Sequence, residues 1–138
     1  MKYVLDTNVV SALMRADAHA VARLRAASRL EVAVPQPVVA EIEYGLARLP
    51  NGRKRTALRE RWRFFARELP RATWTEEVSG RFGALKALLE KRGGRLEDFD
   101  LAIAAHALAF GATLVTADSK HMTRIPELEI EDWSRAAP

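Results

Sequence analysis

Four acidic residues stand where solubility alone does not call for an acid. Asp6 closes the short apolar run Tyr3-Val4-Leu5 and is followed by Thr7-Asn8. Asp118 follows a second such run, Ala112-Thr113-Leu114-Val115-Thr116, by two residues. In a parallel α/β sheet both would reach the carboxyl edge, where open sheets bind ligands. Glu41 is embedded in Val38-Val39-Ala40-Glu41-Ile42, and Asp100 precedes Leu101-Ala102-Ile103-Ala104-Ala105. A charge in such apolar company is costly unless it has a partner. A hard divalent cation serves several carboxylates at once, because magnesium takes oxygen ligands and keeps some of its waters. It also relieves the repulsion between clustered carboxylates. Such an ion polarises a phosphoryl oxygen and activates water, so the set points to metal-dependent phosphoryl transfer. By periodicity alone Glu43 competes with Glu41, and Glu97 and Asp98 compete with Asp100.

Composition narrows the field. The 138-residue chain is 49% hydrophobic and 29% charged, which fits one folded domain over residues 1–138. It has no cysteine, so disulfides and thiolate metal sites are excluded. With three histidines, any metal falls mainly to carboxylates and water, which favours magnesium or manganese. No apolar run approaches a membrane span, and Asp6 interrupts the stretch a signal peptide would need, so a cytoplasmic protein is expected. The net charge is +4, but outside the four acids 14 acidic residues face 22 basic ones. From Arg48 to Arg71 nine basic residues meet only Glu60 and Glu68. Such a segment suits a polyanion, since Lys and Arg dominate nucleic-acid affinity, although a charge run is also an ordinary solvated helix face.

The elements that must position these residues alternate in type. Strands are expected at Lys2–Leu5, Glu31–Val34, Ala72–Trp74, Ala112–Thr116 and Leu128–Ile130. Helices are expected at Val9–Met14, Ala18–Ala27, from Pro37 to about Leu49, Lys54–Leu69, from Thr75 to about Arg92, and from about Leu96 to Phe110. Thr7 or Asn8 can cap the first helix. Leu58, Trp62, Phe65 and Leu69 form an apolar stripe with Arg59, Arg63 and Arg67 on another face. The pattern predicts a central parallel sheet with helices on both faces.

The motifs resemble those of PIN-domain ribonucleases, in particular VapC toxins of prokaryotic toxin–antitoxin pairs. Asp6-Thr7-Asn8-Val9-Val10-Ser11-Ala12-Leu13-Met14-Arg15 is similar to the family's opening, and Val39-Ala40-Glu41-Ile42-Glu43-Tyr44-Gly45 to its second motif. Asp100 to Leu108 resembles the third, and Gly111 to Asp118 the fourth. The resemblance implies a single PIN-like domain in which Asp6, Glu41, Asp100 and Asp118 bind magnesium or manganese. It makes Thr7, Asn8 and Thr116 supporting residues that orient carboxylates or waters. The implied reaction is endonucleolytic RNA hydrolysis by metal-activated water, leaving a 5′-phosphate. Asn51-Gly52-Arg53-Lys54-Arg55 is similar to the basic loop of the FitB-like subset, making Arg53, Lys54, Arg55, Arg59 and Arg63 candidate RNA contacts. The implied partners are an RNA substrate, a VapB-like antitoxin and a second copy in a homodimer. Many relatives carry an Asp-Phe pair after the fourth motif, where this chain has His121-Met122, which leaves the metal count open. His106 and His121 are expected to be structural or solvent-exposed.

A non-catalytic RNA-binding module of the same fold is the alternative function. A phosphatase with Asp6 as nucleophile is disfavoured, because such enzymes commonly place a second acid two residues on and Asn8 stands there.

Overall fold

Parallel strands cannot be joined by tight turns, so each short apolar run must be followed by a crossover that brings the chain back. The computed structural model describes residues 1–135 and realises this with five parallel strands: β1 (Tyr3–Leu5), β2 (Val32–Pro35), β3 (Arg71–Ala72), β4 (Thr113–Val115) and β5 (Ile130–Glu131). The spatial order is β3-β2-β1-β4-β5. The chain thus builds outward from β1 on one side and then returns to add β4 and β5 on the other. The reversal lies between β1 and β4, which puts a crevice beyond their carboxyl ends.

The register carries the two strand-end acids to that crevice together. Val4 pairs with Leu114 and Leu5 with Val115. The Asp6 amide then donates to the Val115 carbonyl at 2.9 Å, as a last rung. Val4, Leu5, Leu114 and Val115 are fully buried, the sign of a sheet covered on both faces.

Among the described residues seven α-helices flank the sheet: α1 (Thr7–Met14), α2 (Ala18–Ala26), α3 (Gln36–Ala47), α4 (Arg53–Glu68), α5 (Glu76–Lys91), α6 (Asp98–Ala109) and α7 (Ser119–Met122). The most internal is α6, in which every residue from Leu101 to Ala107 is buried. Its alanines let it lie close to β1, β4 and α5. Gly111, at φ 63°, takes the left-handed conformation that stops it and turns the chain into β4. Because Leu114 sits at 0% exposure between these layers, Leu114→Ala is expected to cost about 2–5 kcal/mol. A lowered urea midpoint with an unchanged m-value would register that loss.

Several expected elements shift, each for a local reason. The third strand is Arg71–Ala72, not Ala72–Trp74, because the chain leaves the sheet at Thr73 and Trp74 turns to pack on Phe82. Glu31 belongs to a 3-10 turn, and Pro35 completes β2 opposite Ala72. The last strand begins two residues later and ends one later than expected, at Ile130–Glu131, with buried Trp133 packed edge-on against Tyr3. Helix α7 was not anticipated, since four residues are too short to show a period. The stripe of α4 is core at Trp62 and Leu69, with Leu58 and Phe65 half-buried against it. Among the described residues no helix is long and apolar enough to cross a membrane.

Candidate active site

Asp6 is the hub of the crevice. It is 4% exposed, and its carboxylate accepts on one oxygen from the Thr7 amide (2.7 Å) and on the other from Thr116 Oγ1 (2.7 Å) and Asn8 Nδ2 (3.3 Å). Asp6 itself therefore caps α1, in place of Thr7 or Asn8. Those two residues instead hold the end of β4 and the acid of α3. Asn8 Oδ1 accepts from the Ala117 amide at 3.0 Å, and Thr7 Oγ1 donates to Glu41 Oε1. Thr116, fully buried, donates its hydroxyl to Asp6 and accepts from the Asp118 amide at 2.9 Å. One hydroxyl thus fixes both strand-end acids.

Glu41 comes from the second turn of α3 and Asp100 from the first turn of α6, so four segments distant in sequence deliver the four acids. Burial, and then the charges of Asp6, Glu41, Asp118 and Glu97, push the Asp100 carboxyl up to about 6. Burial also raises Asp6, with Asp118 adding to it and the bonds from Thr116, Thr7 and Asn8 opposing. The four acids therefore share one electrostatic field. Among the described residues no three carboxylates or imidazoles are drawn into a ready-made metal cage. Glu41 is engaged with Thr7, and Asp118 Oδ1 with His121 Nδ1 at 2.8 Å.

Ion pairing separates these acids from their neighbours. Glu43 pairs with Arg59 at 3.2 Å and Asp98 with Lys86 at 3.0 Å, so both belong to ordinary surface bridges. Among the described residues, no cationic side chain pairs with Asp6, Glu41 or Asp100. Carboxylates that no cationic side chain pairs with among the described residues, backed by hydroxyl and amide donors, form a donor set that fits a hard divalent ion.

Two clefts flank the acids. One, of about 540 Å³, is lined by Asp100, Asp118 and His121 together with Lys86, Arg95 and Glu97. The other, of about 430 Å³, contains Thr7 and Glu41 with Arg15, Tyr44, Arg48 and Lys54. Of the candidate RNA contacts only Lys54 lines either cleft. Arg55, Arg59 and Arg63 line a separate depression at the start of α4, where Arg55 is bonded to Asn51; Arg53 opens that helix, exposed.

Glu97 and His121 adjoin these acids without having been assigned to the site; His121 is solvent-exposed, as expected. Glu97 adds to the field on Asp100, and its position at the N-cap of α6 was the available signal. His121 lies one turn after Asp118 on a helix that had no visible period. His106 is instead structural: it is fully buried, and its Nδ1–H donates to the Ala102 carbonyl at 2.7 Å.

The sequence profile of the PIN domain matches residues 3–128. The chain belongs to the PIN-domain family. Within that family its PIN domain is 31% identical to the ribonuclease VapC2 of Rickettsia felis, over 98% of this chain and 100% of the relative. It is 28% identical to the ribonuclease VapC2 of Haemophilus influenzae, over 96% and 98%. Among solved structures, the VapBC2 complex of Rickettsia felis bound to a promoter DNA fragment superposes with a TM-score of 0.85 at 29% identity, covering 96% of this chain and 99% of that one. FitAcB from Neisseria gonorrhoeae superposes with a TM-score of 0.80 at 26% identity, covering 95% and 97%.

Within this PIN domain, Thr116→Val keeps the side-chain shape but removes the hydroxyl that joins Asp6 to Asp118. Groups that orient metal-binding carboxylates typically contribute about 10–100-fold to activity or metal affinity, and a loss of that size is expected. Titration of the purified variant with manganese, beside its melting curve, separates that loss from misfolding.

Proposed function

We propose that this PIN domain is a magnesium- or manganese-dependent endoribonuclease that hydrolyses RNA phosphodiester bonds, and that it acts as the toxin of a toxin–antitoxin pair. The observation that carries the reading is that burial first, and then the charges of Asp6, Glu41 and Asp118, push Asp100 up to about 6, while among the described residues no cationic side chain pairs with Asp6, Glu41 or Asp100. These four residues would hold the ion. When bound, it supplies a Lewis acid for the phosphoryl oxygen and lowers the pKa of water.

The chain's own groups supply preorganisation. Three donors keep Asp6 in one orientation before substrate arrives, and Thr116 transmits that orientation to Asp118. Thr7 holds Glu41 at the opposite side of the crevice. The basic surround, with 22 Lys and Arg in the chain, lowers the cost of bringing a polyanion to an acidic centre. The ribonuclease names of the relatives and the antitoxin complexes formed by the structural neighbours support the toxin reading and a VapB-like partner. A homodimer and a cytoplasmic setting belong to the same proposal.

Incubation of the purified chain with total cellular RNA tests the catalytic part. Cleavage in magnesium, silence in EDTA and recovery on adding magnesium back are expected, with 5′-phosphate ends on the products. RNA binding without turnover in any divalent ion would favour the non-catalytic module. Induction in a host with and without the adjacent reading frame tests the toxin part, with growth arrest expected only in its absence.

A further inference from the structure

The cleft on the Glu41 side combines features that the acids do not require. Tyr44 stands three residues after Glu41 on α3, one turn along, and is 65% exposed although aromatic. The Arg48 guanidinium lies over its ring at 5.6 Å from the centroid. Arg15 and Lys54 line the same cleft, so three cations stand against the single carboxylate of Glu41. Gly45, beside Tyr44, is an interior helix residue at which a Cβ would meet nothing within 4 Å. Glycine weakens a helix interior, and neither packing nor an unusual backbone angle requires it there. It leaves open floor beside an exposed ring.

Resting on the proposed nuclease activity, we infer that this cleft is a nucleotide subsite, in which a base of single-stranded RNA next to the scissile phosphate stacks on Tyr44. Arg48 and Lys54 take the adjoining phosphates, and Gly45 leaves room for the ring's edge. An aromatic face with cations beside it is how proteins hold splayed single-stranded bases, because every base offers a π-face and every linkage a charge. A volume of about 430 Å³ lies within the range of small-ligand sites. Met14, Ile42, Leu46, Leu49 and Leu58 line the same cleft, so it offers a ring an apolar bed and, at Arg15, Arg48 and Lys54, partners for a phosphate; a wholly apolar peptide would leave those three cations unpaired. The acidic cleft on the other side of the centre, with Glu90, Glu97 and Asp98 on its walls, is a poorer bed for phosphates.

The test uses the full chain and a short 5′-fluorescein-labelled RNA strand of mixed sequence, with calcium in place of magnesium, followed by anisotropy. Tyr44→Ala is expected to weaken binding about tenfold or more and Tyr44→Phe to leave it near the parent value. An abasic strand of the same length is expected to bind the parent and Tyr44→Ala equally. Lys54→Ala is expected to lower the salt slope by about one, and Tyr44→Ala to leave that slope unchanged. Gly45→Ala is expected to weaken RNA binding while raising the melting temperature. Equal binding of the mixed-sequence strand by the parent and Tyr44→Ala overturns the subsite, as does a Tyr44→Ala variant that keeps its RNA affinity but loses that for the antitoxin. Cleavage of the same strand in magnesium separates the two levels. A parent that cleaves with a Tyr44→Ala variant that cleaves equally removes the subsite alone, whereas a parent that neither binds nor cleaves removes both.

Discussion

Asp6→Asn is expected to reduce RNA cleavage by about a thousandfold or more while leaving the fold intact. Loss of metal assistance removes several kcal/mol of transition-state stabilisation, and each 1.36 kcal/mol is a factor of ten. The substitution also disturbs the crevice without adding bulk. The Asp6 carboxylate accepts from the Thr7 amide on one oxygen and from Thr116 and Asn8 on the other. An amide has only one acceptor oxygen, so whichever way it turns its nitrogen faces a donor. Either the Thr7 amide or the Thr116 hydroxyl then loses its acceptor. Asp6→Asn should therefore be more damaging than Thr116→Val, which leaves every carboxylate in place. Single-turnover cleavage with a far-UV spectrum of each variant checks the order.

Asp100→Asn is expected to do two opposite things: abolish cleavage and stabilise the metal-free protein at neutral pH. The folded-state pKa of Asp100 is about 6 against an ordinary 3.8, with burial the main cause and the Asp6, Glu41, Asp118 and Glu97 charges following. Between those values the folded chain holds a proton that the unfolded chain has released. Stability from this group is thus fully present below pH 3.8 and is lost as the pH rises through 6. The parent in EDTA should lose melting temperature between about pH 4 and pH 6 through this residue and level off above that. Asparagine carries no charge to desolvate, so the variant should flatten that loss and melt a few degrees higher than the parent at pH 7.5. Saturating magnesium should reverse the ranking, because a ligand that binds only the folded state stabilises it. Scanning calorimetry of both proteins with and without magnesium checks the pair of effects. A variant less stable than the parent in EDTA at pH 7.5 would mean that Asp100 has a structural partner.

Much of this arrangement was legible from residue pattern. The βα alternation, the central strand ending on Asp6 and the apolar α6 all follow from period and composition, because burial on both faces leaves an unmistakable run of Val, Leu, Ile and Ala. The two strand-end acids were legible for the same reason, since a charge ending such a run must face the crevice. Glu41 against Glu43, and Asp100 against Asp98, were not separable by period. The resemblance chose between them, and long-range pairing sets them apart in the fold: Arg59, sixteen residues from Glu43, and Lys86, twelve from Asp98, pair with the exposed member of each. The direction of the basic segment was not legible, because charge density says nothing of direction, and α4 turns Arg55, Arg59 and Arg63 to a depression of their own. His121 was hidden because its contact with Asp118 is made by a four-residue helix, below the length at which a period exists.

The central claim, that these four carboxylates take up a divalent ion on which RNA hydrolysis depends, is tested most directly by titrating manganese into the full chain and following free ion by electron paramagnetic resonance. Saturable binding that is lost in Asp6→Asn and weakened in Thr116→Val, and that parallels cleavage across the same manganese concentrations, is the expected result. RNA cleavage that persists undiminished in EDTA, or manganese uptake unchanged in Asp6→Asn, would contradict it.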